Sequence, residues 1–192
     1  MISVQQIHKK FGKLEVLKDF NLEFESGKSY ALMGPNGSGK TTMIKIILGM
    51  VIPNAGDILV KGKSIKGSYS YRSDIGDMPQ IGRYPDNIKI GQLFSMMQDM
   101  RPEIKEYDMA LATEFGLMDM LDKPMHTLSG GTRQKVSASL AFMFCPDILI
   151  LDEPTAGLDP IAVEILKNKI IQEREKGKLI LITSHILSEL DE

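Results

Sequence analysis

Apolar residues in this chain recur with two different spacings, and the change between them marks out its organisation. Near the start they tend to alternate with polar residues. Residues 2–8 (ISVQQIH) and 16–24 (VLKDFNLEF) predict strands with one buried face, joined through a turn at Gly12. Residues 28–33 (KSYALM) predict a short strand running into a glycine-rich loop, and residues 41–49 (TTMIKIILG) a helix that stops at glycine. Further strands are predicted at 57–61, after the turn Pro53-Asn54-Ala55-Gly56, and at 74–78. Beyond Pro85 the spacing lengthens towards 3.6. Residues 88–100, 104–115 and 130–144 predict helices, with turns signalled by Arg101-Pro102 and Lys123-Pro124. Strand character returns at 148–151 and 179–183, separated by a helix from Pro160 to about Lys176 ahead of Gly177. The pattern predicts one α/β domain over residues 1–192, with its core in residues 1–85 and 146–192 and a helical insertion at about 86–145. There is no internal repeat.

Composition narrows the possibilities. At 192 residues and 43% hydrophobic, the chain is long enough to bury a substantial core as one domain. A formal charge of −2 gives no bulk electrostatic reason to expect a nucleic-acid partner, and the early cluster His8, Lys9, Lys10, Lys13 and Lys18 reads as a solvated face. Cys145 is the only cysteine, which excludes an internal disulfide and a cysteine metal cluster and suits a reducing compartment. The start MISVQQIHKKF carries no apolar signal segment, and no apolar stretch approaches the roughly 18–20 residues that span a bilayer. The expectation is a soluble chain whose membrane part, if it has one, belongs to another polypeptide. Met96, Met97, Met100, Met109, Met118, Met120 and Met125 crowd the helical segment. They fit equally an adaptable surface for a partner's helix and the plain core of a small helical unit.

One loop carries the most specific chemistry. Gly34-Pro35-Asn36-Gly37-Ser38-Gly39-Lys40-Thr41-Thr42 matches G-x-x-x-x-G-K-[ST] and lies between a predicted strand and a predicted helix. Gly34, Gly37 and Gly39 allow a tight turn that brings backbone N–H groups against phosphate oxygens, where a side chain would collide. Lys40 adds charge near β- and γ-phosphates, and the Thr41 hydroxyl is a ligand for Mg²⁺. Loop and helix N-terminus form an anion site by geometry and dipole together, so the chain is expected to bind a nucleoside triphosphate.

Two further segments extend this site. Ile148-Leu149-Ile150-Leu151-Asp152-Glu153 is an apolar run ending in acids, as in a buried parallel strand with a ligand at its carboxyl end. Asp152 is placed to hold Mg²⁺ through water and Glu153 to accept a proton from an attacking water. In Leu128-Ser129-Gly130-Gly131, Ser129 is the predicted N-cap of a helix whose exposed N–H groups make a second anion site. One bound nucleotide leaves a second such site within the same molecule without an obvious use.

GPNGSGKTT, LSGG (128–131), ILILDEP (148–154), GLDP (157–160) and TSH (183–185) stand in this order along the chain. Together they resemble the ATP-binding domain of ABC transporters. The resemblance covers nearly the whole chain. It implies a P-loop NTPase core with an N-terminal antiparallel β subdomain and a helical insertion, and an Mg²⁺-dependent ATPase. It also implies a head-to-tail dimer, with itself or a paralogous ATPase, in which each ATP lies between one P-loop and the partner's Ser129, Gly130 and Gly131. Phe11 resembles the aromatic that stacks on adenine, and Gln80 the glutamine that senses Mg²⁺ and the attacking water. Asp159 resembles a dimer-contact aspartate, with a plain helix cap as the alternative, and His185 resembles the histidine that contacts the γ-phosphate. Separate transmembrane subunits and a position on the cytoplasmic face of the membrane follow from the same resemblance.

The chain departs from the family in three places. Thr132 stands where the signature normally has glutamine, Asp77 where an apolar or aromatic residue is common, and the chain stops seven residues after His185, as a C-terminally truncated member would. A soluble relative acting on DNA or ribosomes is the rival expectation. The region between Lys40 and Leu128 lacks the sustained heptads of the DNA-repair members, and only one such domain is visible, where translation-factor members carry two. Residues 81–94 and 128–142 are similar to the NosF type, linked to maturation of copper-containing nitrous oxide reductase.

Overall fold

The computed structural model describes residues 1–35 and 37–184. Alternation in the first strands has a direct consequence. β1 (Ile2–Phe11) and β2 (Leu14–Phe24) pair antiparallel, and β4 (Ala55–Val60) and β5 (Lys63–Ser64) complete a sheet of order β2-β1-β4-β5. Ile2, Val4 and Ile7 are buried, so the step between the last two is three residues rather than two. A register shift accommodates it: Gln6 has φ +49°, and its N–H donates to Asn21 Oδ1 at 2.8 Å. The strand runs to Phe11, three residues past the predicted end.

The second sheet is parallel, in the order β3-β8-β7-β6, built from β3 (Ser29–Met33), β6 (Ile75–Met78), β7 (Ile148–Asp152) and β8 (Leu179–Ser184). Its central strands separate two cores. Ile148, Ile150, Leu179 and Leu181 join the core that α1 (Lys40–Ile47) shares with the antiparallel sheet. Leu149, Leu151 and Ile180 join the opposite core, with α2 (Ile90–Asp99), α3 (Ala110–Glu114), α4 (Gly130–Phe142) and α5 (Pro160–Glu175). An uninterrupted apolar run is what a strand covered on both faces requires. The segment 86–145 is packed onto the sheet: a Cβ on Gly76 of β6 would lie 2.0 Å from the Ala141 carbonyl of α4.

The helix predicted over 104–115 shrinks to α3. Residues ahead of it spend their polar groups elsewhere: Asp108 N donates to Met143 O at 2.9 Å, and Asp108 Oδ1 caps Ala110 N at 3.0 Å. The methionines divide between core and surface. Met125 is buried, Met97, Met109 and Met120 pack against the core, and Met96, Met100 and Met118 are exposed.

A buried ion cluster joins this region to α5. Lys169 bonds both Asp108 and Glu173 (3.0 Å to the latter), and Glu173 also receives Lys176 at 2.7 Å and Lys178. Burial pushes the Glu173 carboxyl up, but hydrogen bonds from three ammonium groups outweigh it and hold the group at about 2. Its folded value lies below the ordinary 4.5, so its contribution is complete above pH 4.5 and is lost as pH falls towards 2. Glu173→Gln is expected to cost about 2–4 kcal/mol at pH 7, since the mostly buried Lys178 loses its carboxylate and Lys169 keeps only Asp108. Urea unfolding of both proteins should show that difference at pH 7 and a much smaller one at pH 3; equal differences would refute the charge account.

Candidate active site

The four strands of the parallel sheet run the same way, so their carboxyl ends lie along one edge, where sheets of this kind bind ligands. β3 leads into the glycine-rich loop and α1, β6 into Pro79 and Gln80, and β7 ends at Asp152 beside Glu153. Gly37, Ser38, Gly39, Lys40, Thr41, Thr42, Gln80, Asp152 and Glu153 line one open cleft of about 340 Å³. Phe11, Leu14 and Val16 of the antiparallel sheet close its side. Asn36 and His185 lie outside the described residues.

The loop is shaped by its glycines. Gly39 has φ +97°, and a Cβ there would sit 3.1 Å from Leu17 Cδ2 and 3.3 Å from the Val16 carbonyl. Gly34, at φ +153°, has Ser38 Oγ 2.7 Å from its would-be Cβ. Ser38 N donates to Pro35 O at 3.1 Å, closing the turn. Lys40 opens α1, and its ammonium donates back to the carbonyls of Gly34 and, at 3.2 Å, Pro35. That arrangement holds a cation over the loop. Thr41 and Thr42 follow in a first turn without acidic residues, so nothing within α1 offsets the positive end that it turns to the cleft.

The acidic side is organised by a residue to which the sequence reading assigned no role. Thr183 lies opposite Asp152 in the β7–β8 register and is buried. Its hydroxyl donates to Asp152 Oδ1 and accepts from Glu153 N at 3.1 Å, while its carbonyl accepts from the same N–H at 3.1 Å. Glu153 is 8% exposed and has φ +53°, a left-handed backbone that a non-glycine residue adopts at a cost of about 1–3 kcal/mol. The only sequence signal for Thr183 was its place two residues before His185; its partnership depends on strand order. Asp77, on β6 beside β7, is pushed up to about 6, first by burial and then by the negative charge of Asp152.

Of the other expected site residues, Phe11 stands at the cleft's side and four lie away from it. Phe11 ends β1 and is 50% exposed, with Lys9 Nζ 4.8 Å from its ring centre. Ser129, Gly130, Gly131 and Asp159 are absent from the lining of the cleft. Ser129 is the N-cap of α4, accepting from Thr132 N at 3.1 Å, and its hydroxyl meets that of Thr132 at 2.9 Å. Thr132, in the usual glutamine position, thus strengthens the cap. Asp159 caps α5 through Ala162 N at 2.9 Å and also bonds Lys135 Nζ at 2.6 Å.

A loop–helix phosphate cradle beside two acids at the edge of a parallel sheet defines a P-loop nucleoside triphosphatase. The family model described as "ABC transporter" matches residues 17–156, and the chain belongs to that family as an ATP-binding ATPase domain. It is 32% identical over 194 residues to the lantibiotic transport ATP-binding protein SrtF of Streptococcus pyogenes, covering 100% of this chain and 82% of that one. It is 30% identical to the Nod factor export ATP-binding protein I of Ralstonia nicotianae, covering 100% of this chain and 61% of that one. The structure of an ATP-binding subunit of an ABC transporter superposes with a TM-score of 0.90 at 28% identity, over 97% of this chain and 80% of that one. A nucleotide-free ATP-binding cassette, 23% identical with a TM-score of 0.79, covers 98% of this chain and 83% of that one and shows the shared fold.

Thr183→Val keeps the shape of the side chain but removes the donor to Asp152 and one acceptor for Glu153 N. It should lower stability by about 1–3 kcal/mol in denaturant unfolding, because buried polar groups lose partners. An unchanged unfolding midpoint would show that these bonds do not support the acidic edge.

Proposed function

We propose that this chain hydrolyses ATP to drive a membrane transporter, through nucleotide-dependent pairing of two ATPase domains on the cytoplasmic face of the membrane. The observation that carries it is the convergence of Lys40, Thr41, Gln80, Asp152 and Glu153 on one cleft from separate strand ends. The loop amides, Lys40 and the α1 N-terminus neutralise the phosphates of bound ATP. Glu153, held by the Thr183 contacts, accepts a proton from the water that attacks the γ-phosphate or orients that water. The roles of Asn36 in the loop and of His185 at the γ-phosphate rest on the sequence resemblance.

The donors facing the cleft suit Mg²⁺, since a hydroxyl, a carboxamide and a carboxylate are hard oxygen ligands and Mg²⁺ usually keeps several waters. Thr41, Asp152 and Gln80 would hold it. Mg²⁺ would supply charge neutralisation across the β- and γ-phosphates.

Pairing is supported by the signature turn. Ser129 and Gly130 are exposed, at the positive end of a 13-residue helix, and away from the chain's own cleft. A second chain is a suitable source of phosphate for them. Phe11, exposed at the cleft's side, is proposed to stack on adenine. The domain division remains as proposed from sequence, with residues 86–145 as the helical part. A groove of about 580 Å³ there, lined by Phe94, Met96, Met109 and Met118, supports docking of a separate transmembrane subunit. No helix among the described residues is long and apolar enough to cross a membrane. The named roles of SrtF and the Nod factor protein support transport as the coupled work. Residues 81–94 and 128–142 support the narrower NosF type. Against the DNA-repair rival, the longest helix among the described residues has 16 residues, too short for a coiled-coil arm.

Lys40→Ala should reduce turnover by about 10²-fold or more, through loss of phosphate charge compensation; parental hydrolysis would reject the site. For pairing, Glu153→Gln should still bind ATP and shift towards dimer in light scattering with MgATP, because turnover no longer breaks the bridge. Adding Ser129→Arg should restore monomer by crowding the shared contact. A dimer indifferent to Ser129→Arg would dismiss the shared site.

A further inference from the structure

The basic residues near the start of the chain do not share one solvated role. Lys10 turns to β2 and pairs with Glu15 at 3.5 Å. Lys9 meets no carboxylate among the described residues. Its ammonium donates to the Ile52 carbonyl at 2.8 Å and lies 4.8 Å from the centre of the Phe11 ring, within cation–π range.

Both contacts follow from the fold. Lys9 and Phe11 stand two positions apart on β1, which puts their side chains on one face of the strand. The turn ahead of β4 brings Ile52 to the same place: Asn54 N donates to His8 O at 2.8 Å, and Asn54 Oδ1 accepts from Lys10 N at 2.7 Å. The chain that leaves α1 therefore returns to the end of β1, and its carbonyl fixes the Lys9 ammonium against the ring. Phe11 lines the cleft and Lys9 does not, so the ammonium leaves the cleft side of the ring open. A ring 50% exposed at the end of a strand has room to turn, and a tethered cation beside it favours one orientation. The faces of two aromatic systems both carry negative potential, and a cation behind one of them reduces their repulsion when they stack.

We propose that Lys9 is a positioning residue for the nucleotide base: held by the Ile52 carbonyl, it backs Phe11 so that the open side of the ring receives adenine. The inference rests on the stacking role proposed for Phe11 and adds a residue outside the lining of the cleft.

The test compares a ligand that has a base with one that has none. The full-length protein is titrated calorimetrically with ATP and with inorganic tripolyphosphate, both in EDTA so that ATP is not turned over. Lys9→Met keeps most of the stem and removes the charge. It should weaken ATP binding about three- to fivefold and leave tripolyphosphate within about 1.5-fold of the parent. Lys9→Arg, which keeps a cation able to lie on the ring, should stay within about twofold for both ligands. Phe11→Ala should weaken ATP about tenfold or more. Adding Lys9→Met to it should cost nothing further, because the charge then has no ring to act through. In turnover with MgATP, Lys9→Met should raise KM by about the same three- to fivefold with little change in kcat. Parental ATP affinity in Lys9→Met, equal losses for ATP and tripolyphosphate, or losses that multiply in the double variant would each overturn the role of Lys9. Parental ATP affinity in Phe11→Ala would instead reject stacking itself, so the two failures are told apart.

Discussion

The burial of β7 on both faces is the constraint from which the rest of the molecule follows. Ile148, Leu149, Ile150 and Leu151 have no exposed surface, the two isoleucines facing one core and the two leucines the other. At about 1.5–3 kcal/mol for each fully buried side chain, these four residues contribute roughly 6–12 kcal/mol. That equals the order of a whole domain's net stability. Such a strand needs a layer on each side, which α1 and the antiparallel sheet supply on one face and α2 to α5 on the other. Its last residue, Asp152, is the first that the apolar cores do not claim, and so the acids stand at the sheet's edge.

Site geometry at that edge is held by neighbours rather than by local preference. Glu153 adopts a left-handed backbone that costs energy in isolation. It persists because the sheet holds Thr183 opposite, where hydroxyl and carbonyl both take the Glu153 N–H. The same hydroxyl donates to Asp152, so one buried threonine holds the Asp152 carboxylate and the Glu153 backbone together. Asp77 adds a third carboxyl on the adjoining strand, where burial and the charge of Asp152 oppose its ionisation. A polar edge with this many acids is sustained by hydrogen bonds across strands, together with the positive end of α1 opposite.

The helical region is tied to the sheet in two chemically different ways. Backbone contact without a side chain, at Gly76 against Ala141, sets α4 on β6. A buried cluster of Asp108, Lys169, Glu173 and Lys178 joins the approach to α3 with α5. Apolar packing alone tolerates sliding, whereas paired buried charges penalise it, because each group separated from its partners remains desolvated.

Much was legible in the sequence by itself. Alternation marked the antiparallel strands, doubly apolar runs marked the buried parallel ones, and the loop from Gly34 to Thr42 announced its phosphate chemistry by residue type and spacing. The caps at Ser129 and Asp159 were also visible, because a cap depends on residues three positions apart. Tertiary structure alone decided the rest. The helix expected over 104–115 lost its first half because Asp108 bonds Met143, Lys169 and Ala110 instead. The bridge made by Thr183 and the ion pair between Lys135 and Asp159 join residues from 24 to 31 positions apart. Local pattern encodes which backbone each segment prefers and which face it buries. Pairings across the sheet edge depend on strand order and on the energy of polar groups removed from water, and these exist only once the chain has folded.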